Sequence, residues 1–470
     1  MKKMILLITL IFCLVMSPMA AKPVIAAAYG TSFTTSITYQ NVGNASANIT
    51  ILFYAEGSGS PITISRPPLA HGAGTSIYVG ALTELASGFK GSAVIQSDQP
   101  LVATLVQVPP ASSTLKARPL SNGFSGGTPE VGVPTVLKNT FGTNSIVVVQ
   151  NVDAVAADLT LDFVPVSGST IQLTATNLPS GSAKYYDLGQ LSQLGSSFNG
   201  ALKITAKKAG TSNPGSIVAT SMELGISSNA AYAFEGTVTS SSKVYMPSAL
   251  CKYTVAQQTT AYAVQNVSSG DVQVTVKYSS GNNDGPYTIP AGGKRSFDGC
   301  AVNDTGFLGS AVIEATGGNI VAVGKVYGGG LFTAFLGFND GASKVALPYI
   351  RYTQTGWTNG TRQRSFIAIQ NVGTSDLAAG AVSVKYYDKN GNLVGTHSLG
   401  AIPVGGKVNS NPSNIGSAGN EFGYYSDGTF GGSAIVEGPS GSKLAIVVRV
   451  QTYVSSTEVP GEDYTGIPVQ

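Results

Sequence analysis

A pattern recurs four times along this 470-residue chain, marked by Gln40-Asn41-Val42, Gln150-Asn151-Val152, Gln265-Asn266-Val267 and Gln370-Asn371-Val372, in steps of 110, 115 and 105 residues. A spacing of that size is a whole domain rather than a solenoid turn. Each copy runs on to an aromatic-x-Gly-(Ser/Ala) motif led by Phe89, Phe198, Phe307 or Phe430. Each then closes on an apolar stretch: Leu101-Val102-Ala103, Ile217-Val218-Ala219, Ile320-Val321-Ala322 and Leu444-Ala445-Ile446. Residues shared by all copies of a duplicated scaffold read as packing and turn positions, so Asn41, Asn151, Asn266 and Asn371 and the four phenylalanines are assigned to structure. An asparagine at a strand end bonds its own backbone and tolerates a turn conformation.

Within a copy the hydrophobic period is two. Ala381-Val382-Ser383-Val384-Lys385-Tyr386-Tyr387 alternates before a turn at Asp388-Lys389-Asn390-Gly391, and the same strand recurs at Ile49 to Tyr54, Leu159 to Val164 and Val272 to Tyr278. Alternation buries one face and wets the other, as in antiparallel sheets. Asn-Gly supplies the positive φ of a tight hairpin. About seven strands per copy fit an immunoglobulin-like sandwich. The chain is therefore expected to be all-β, with four tandem Ig-like antiparallel β-sandwiches at residues 22–127, 128–238, 239–340 and 341–470, the last including a tail. Apolar connectors at Asn122-Gly123-Phe124, Tyr232 to Gly236 and Leu336-Gly337-Phe338 should dock neighbours against each other, giving a rod. Tyr464-Thr465-Gly466-Ile467-Pro468 reads as one more connector with no domain after it, packing on another molecule or fraying.

Residues 1–21 have the layout of a secretory signal peptide: Lys2 and Lys3, an apolar run from Met4 to Met16, then small residues. Cleavage after Ala21 competes with cleavage after Ala28. The earlier cut retains Pro23-Val24-Ile25, which can stand in for the Pro134-Thr135-Val136-Leu137 stretch that precedes the Gln-Asn-Val of repeat 2. Of the three cysteines, Cys13 lies in the apolar run, and Cys251 and Cys300 both fall in repeat 3; in an exported protein these two should form one structural disulfide. Charged residues are 11% of the chain, and loss of Lys2 and Lys3 takes the net charge from +3 to +1. Such a surface offers no basic footprint for nucleic acid or an anionic membrane.

The proline-led first strand, Gln-Asn-Val-Gly, the Tyr-Tyr-Asp-x-Asn-Gly hairpin, Phe-x-Gly-Ser-Ala and Ile-Val-Ala together resemble the tandem Ig-like repeats of uncharacterised exported proteins of filamentous Chloroflexi-type bacteria. The Gln-Asn-Val-Gly and Tyr-Tyr-Asp-x-Asn-Gly portion is also similar to bacterial cell-adhesion-related Ig-like modules. The resemblance implies a secreted or surface-attached sandwich array and brings no activity with it.

Chemistry is thinly supplied. His71 and His397 lie in different repeats without an acidic or cysteine neighbour at ligand spacing. The Asp-Asn-Gly clusters at Asn282 to Gly285 and Asp388 to Asn392 hold one carboxylate each, which suits a turn better than calcium. No catalytic residue, cofactor or metal is therefore expected. A glycan site is the main alternative, placed in repeat 4 at Trp357, Tyr352, Tyr424 and Tyr425, because 60 residues separate Gln370 from Phe430 against 42 for the matching pair in repeat 3. Loops enlarged on a rigid scaffold often bind. The sequence thus points to a non-enzymatic, extracellular or cell-surface structural or adhesive repeat protein. Its partners would be copies of itself, other surface proteins or glycans.

Overall fold

The computed structural model describes residues 27–469. Residues 1–21, read as a leader, and Pro23-Val24-Ile25 lie outside them. The architecture is the expected all-β series of antiparallel sandwiches, with helix among the described residues confined to short 3₁₀ segments. No helix among them is long and apolar enough to cross a membrane.

Repeat 2 shows the plan. Its eight strands in chain order are Glu130–Lys138, Thr143–Asn151, Ala157–Pro165, Ile171–Leu178, Ala183–Asp187, Phe198–Lys208, Ile217–Gly225 and Ala231–Glu235. The fourth, third, sixth and first form one sheet and the fifth, second, seventh and eighth the other. Alternation in the third strand places Leu159, Leu161 and Phe163 in the core at 2% exposure or less. Repeat 3, from Lys243–Cys251 to Leu331–Leu336, and repeat 4, from Lys344–Leu347 to Gly461–Thr465, use the same order. The first strand pairs with the sixth, whereas the first immunoglobulin strand pairs with the second.

The count of about seven strands per repeat misses the eighth, which lies in the connector segments. At three residues, Leu120–Asn122 in repeat 1 is too short for alternation to show. The C-terminal segment needs the same correction. Gly461–Thr465 is the eighth strand of repeat 4 and Ile467–Pro468 adds a ninth beside Lys344–Leu347. Tyr464 is 2% exposed and its hydroxyl donates to the Tyr349 carbonyl at 2.8 Å.

Repeat 1 departs from the plan. Among the described residues its first strand is missing, so Gly91–Ser97 pairs on one side only. Ala93 and Ile95 are partly exposed there, while their counterparts Leu202 and Ile204 in repeat 2 are fully buried.

The four asparagines act as identical pins. In each, Nδ2 donates to two backbone carbonyls, as Asn151 does to Val155 at 2.8 Å and Leu178 at 2.9 Å, while Oδ1 accepts the N–H two residues on. Asn41, Asn266 and Asn371 repeat the arrangement. Phe89, Phe198 and Phe307 pack edge-to-face on Phe53, Phe163 and Tyr278. Phe430 does not. It is 60% exposed, and Phe422 occupies the matching core position against Tyr386, because the enlarged loop of repeat 4 shifts the chain.

The repeats do not form a rod. They close into a ring, with repeat 4 packed on repeat 1. The four eighth strands contact one another in a cycle at its centre, the last contact joining Gly461–Thr465 to Leu120–Asn122. There Asn122 Nδ2 donates to the Thr465 carbonyl at 2.8 Å and Arg118 meets Glu462 at 2.8 Å. Around the rim the repeated motifs interlock. The carbonyls of Gly181, Gly405 and Gly72 each accept from the glutamine of their own repeat, Gln150, Gln370 and Gln40, at 3.0, 3.2 and 3.3 Å. They also accept from the motif serine of the preceding repeat in the cycle, Ser92, Ser310 and Ser433, at 2.7, 3.5 and 3.2 Å. A rotationally repeated, head-to-tail contact that returns on itself makes a closed ring. At the closing junction Gly391 sits at φ 86° where a Cβ would fall 2.2 Å from the His71 carbonyl, so a side chain there is excluded twice over.

The junction of repeats 2 and 3 lacks the serine, since Ala201 stands there. Lys294 replaces it, donating to Thr135 Oγ1 at 2.8 Å and Asn199 Oδ1 at 2.7 Å. Burial pulls its ammonium down to about 7, with Lys325 adding and Glu223 opposing. Between that value and the ordinary lysine 10.5 the unfolded chain holds the proton and the folded chain does not, so stability rises with pH across this window. The rise is expected to be smaller in Lys294→Met. That variant should also be more stable than the wild type at pH 6, by about 1–4 kcal/mol, because a buried charge is exchanged for an apolar side chain. Thermal unfolding of both proteins at pH 6 and pH 9 checks this; parallel profiles would remove Lys294 as the cause.

Candidate ligand cleft

A cleft of about 440 Å³ opens where repeat 4 meets repeat 1. Repeat 1 contributes the outward face of two paired strands, Thr34–Asn41 and Gly74–Tyr78, whose alternation turns Ser36, Thr38, Ser76 and Tyr78 toward it. Thr38 and Ser76 share a hydrogen bond of 2.7 Å, and Tyr78 is 46% exposed. Repeat 4 contributes the segment after its first strand, with Tyr349 and Arg351, the start of its second strand, with Arg362 and Gln363, and Tyr424 and Phe430 from the enlarged loop.

Three guanidinium groups converge on this space. Arg118 is paired with Glu462, a carboxylate 2% exposed that also accepts from Gln363 at 3.0 Å and from the Tyr349 hydroxyl at 3.2 Å. Burial pushes the Glu462 carboxyl up, and Arg118 partly offsets this. Arg362 is paired with Glu421. Burial acts to raise Glu421, but hydrogen bonds from Thr355, Thr353 and Arg362 outweigh it and hold the group at about 2. Arg351 has no such partner. It donates through Nη1 to the Ile350 and Gly432 carbonyls at 2.8 and 3.3 Å and lies 5.1 Å from the Tyr349 ring. Arg362 covers the Tyr424 ring at 4.7 Å, and Tyr424 meets Phe430 edge-to-face.

The aromatic residues expected to share a sugar platform are dispersed. Tyr424 lines the cleft. Tyr425 points elsewhere, bonding Lys389 N and the Gly431 carbonyl. Tyr352 belongs to the core at 7% exposure. Trp357 is half-buried, packed on Tyr453 at 5.7 Å and under Arg364 at 4.9 Å. Sequence reasoning missed Arg351, although a charge inside the run from Val345 to Tyr352 was a signal available to it. It also missed the whole contribution of repeat 1, which only the ring brings close.

Cys251 and Cys300 form the expected disulfide, joining the end of the first strand of repeat 3 to the loop before Phe307. His71 contacts the Gly43 carbonyl and His397 the Ser410 hydroxyl at 2.8 Å, in separate repeats. Asp388 accepts from Asn390 N and Asn392 N, the bonding of a turn. Among the described residues no three His, Cys, Asp or Glu side chains cluster at metal-binding spacing.

No family model matches the chain, and no curated protein matches it. Among solved structures, the crystal structure of a tetra-tandem repeat in the extending region of a large adhesion protein is similar at 12% identity, covering 94% of this chain and 97% of that one. Its TM-score is 0.11, too low to carry an argument about arrangement or role.

Proposed function

We propose that this protein works without catalysis, as a structural or adhesive block outside the cell, in a surface layer, sheath or filament. The observation that carries the reading is the closure of the repeats, in which the motif serine bonds across three of the four junctions and Lys294 bonds across the fourth, holding neighbours at fixed angles. A ring of like-oriented repeats presents equivalent loops on one face. The loops between first and second strands carry the most exposed large apolar residues of repeats 2 and 3, Phe141 at 75% and Val255 at 67%. With few charges to repel another copy, such a face suits stacking or adhesion. Export fits cleavage after Ala21. Cleavage after Ala28 would remove a fully buried residue whose N–H donates to the Ser228 carbonyl of repeat 2 at 2.9 Å. Immunogold labelling of intact cells is expected to decorate the surface; label confined to the cell interior would end this reading.

A second reading, a glycan- or matrix-binding module, is favoured by one observation: the cleft at the junction of repeats 1 and 4, with its aromatic walls, hydroxyls and guanidinium groups.

A further inference from the structure

The cleft contains a charge for which the fold supplies no answer. Arg351 is only 4% exposed, lines the cleft, and has no carboxylate within ion-pair distance among the described residues. The two acids at the cleft, Glu462 and Glu421, are taken by Arg118 and Arg362. A guanidinium stays protonated in proteins, and removing its water without a counter-charge is costly. Packing alone does not require an arginine here, since an apolar side chain of similar length fills space without that cost.

We infer that the cleft between repeats 1 and 4 binds an acidic sugar, whose carboxylate pairs with Arg351 while its ring lies between Tyr78 and Tyr424. The planar fork of a guanidinium matches a carboxylate in bidentate fashion. Nη1 is already committed to two backbone carbonyls, which hold the group in place and leave the rest of the fork for a ligand. Tyrosine faces take the apolar side of a sugar ring, and the hydroxyls of Ser36, Thr38 and Ser76 suit its polar edge better than they would suit an alkyl chain. The volume is at the scale of small-molecule sites, about 300–1,000 Å³. The site needs both repeats, so only the closed ring possesses it.

The inference rests on the sugar-binding reading and not on the structural one. Calorimetric titration of the protein carrying all four repeats with tetragalacturonate, and with the neutral galactose tetramer, tests it. The acidic sugar is expected to bind and the neutral one to bind at least about tenfold more weakly. Arg351→Gln, folded by circular dichroism, should lose roughly 30-fold or more in affinity, the usual effect of removing one member of a buried charged pair. Tyr78→Ala, an exposed position on the repeat 1 side, should lose affinity without any change in unfolding temperature. Equal binding of both tetramers, no binding of either, or sulfate alone binding as tightly as tetragalacturonate would overturn the inference. Tight binding of the acidic sugar by Arg351→Gln would also overturn this site while leaving sugar binding itself in place.

Discussion

Arg118→Ala is expected to open the ring between repeats 4 and 1 before any sandwich unfolds. Arg118 comes from the loop ahead of the eighth strand of repeat 1 and meets Glu462 of repeat 4 at 2.8 Å, where the glutamate side chain is 2% exposed. Removing one partner of a buried ion pair leaves the other charge uncompensated, at a cost of about 3–5 kcal/mol. Burial already holds the Glu462 carboxyl above its ordinary range, and losing Arg118 raises it further. A folded-state carboxyl above its unfolded value contributes stability at low pH that is lost as pH rises through the folded value. The defect should therefore be deeper at pH 8 than at pH 5. Adding Glu462→Gln should recover much of the loss, since the amide keeps hydrogen-bonding capacity and carries no charge. Thermal unfolding at both pH values reads the result; an Arg118→Ala protein with wild-type stability at pH 8 would mean that this pair does not hold the junction.

Loss of the disulfide should be of similar size. Cys251 and Cys300 are 49 residues apart, and closing a loop of that length lowers the entropy of the unfolded chain by an amount worth about 4 kcal/mol at 25 °C. The bridge lies beside a strained loop of repeat 3. Just past Cys251 the chain enters a loop with Lys252, Thr254 and Gln257 at positive φ, a conformation non-glycine residues adopt reluctantly. Repeat 3 also touches both its neighbours, with Val323 and Ala334 in the core of repeat 2 and Val447 of repeat 4 in its own. Cys251→Ala/Cys300→Ala is thus expected to lower the unfolding temperature of the whole ring, and calorimetry should show one displaced transition. An unchanged transition would show that the loop is ordered without its bridge.

Much of the fold was legible because alternation reports directly on burial. Leu159, Leu161 and Phe163 face inward because a sheet with one wet face allows nothing else. The eighth strands were hidden, since pieces as short as Leu120–Asn122 carry no period. The ring was hidden for a different reason. Its rim is held by carbonyls of Gly72, Gly181 and Gly405, and a backbone acceptor leaves no trace in side-chain chemistry. Ser92, Ser310 and Ser433 were visible as a repeated motif, but repetition suits an internal turn as well as a contact between repeats. Phe430 was misplaced because motif spacing put it in the core, whereas the enlarged loop carries Phe422 there instead. Tyr424 was placed at a site that repeat 4 only half builds, and Arg351 gains its meaning when repeat 1 closes over it.

Small-angle X-ray scattering of the protein in solution tests the closed ring most directly. A compact body of this length has a radius of gyration of about 22 Å. Four sandwiches laid end to end, each about 30 Å long from nine-residue strands, would give about 35 Å. A closed ring gives a value near the first figure and a distance distribution with a single maximum. A value near the second, with the long tail of a rod, would contradict it.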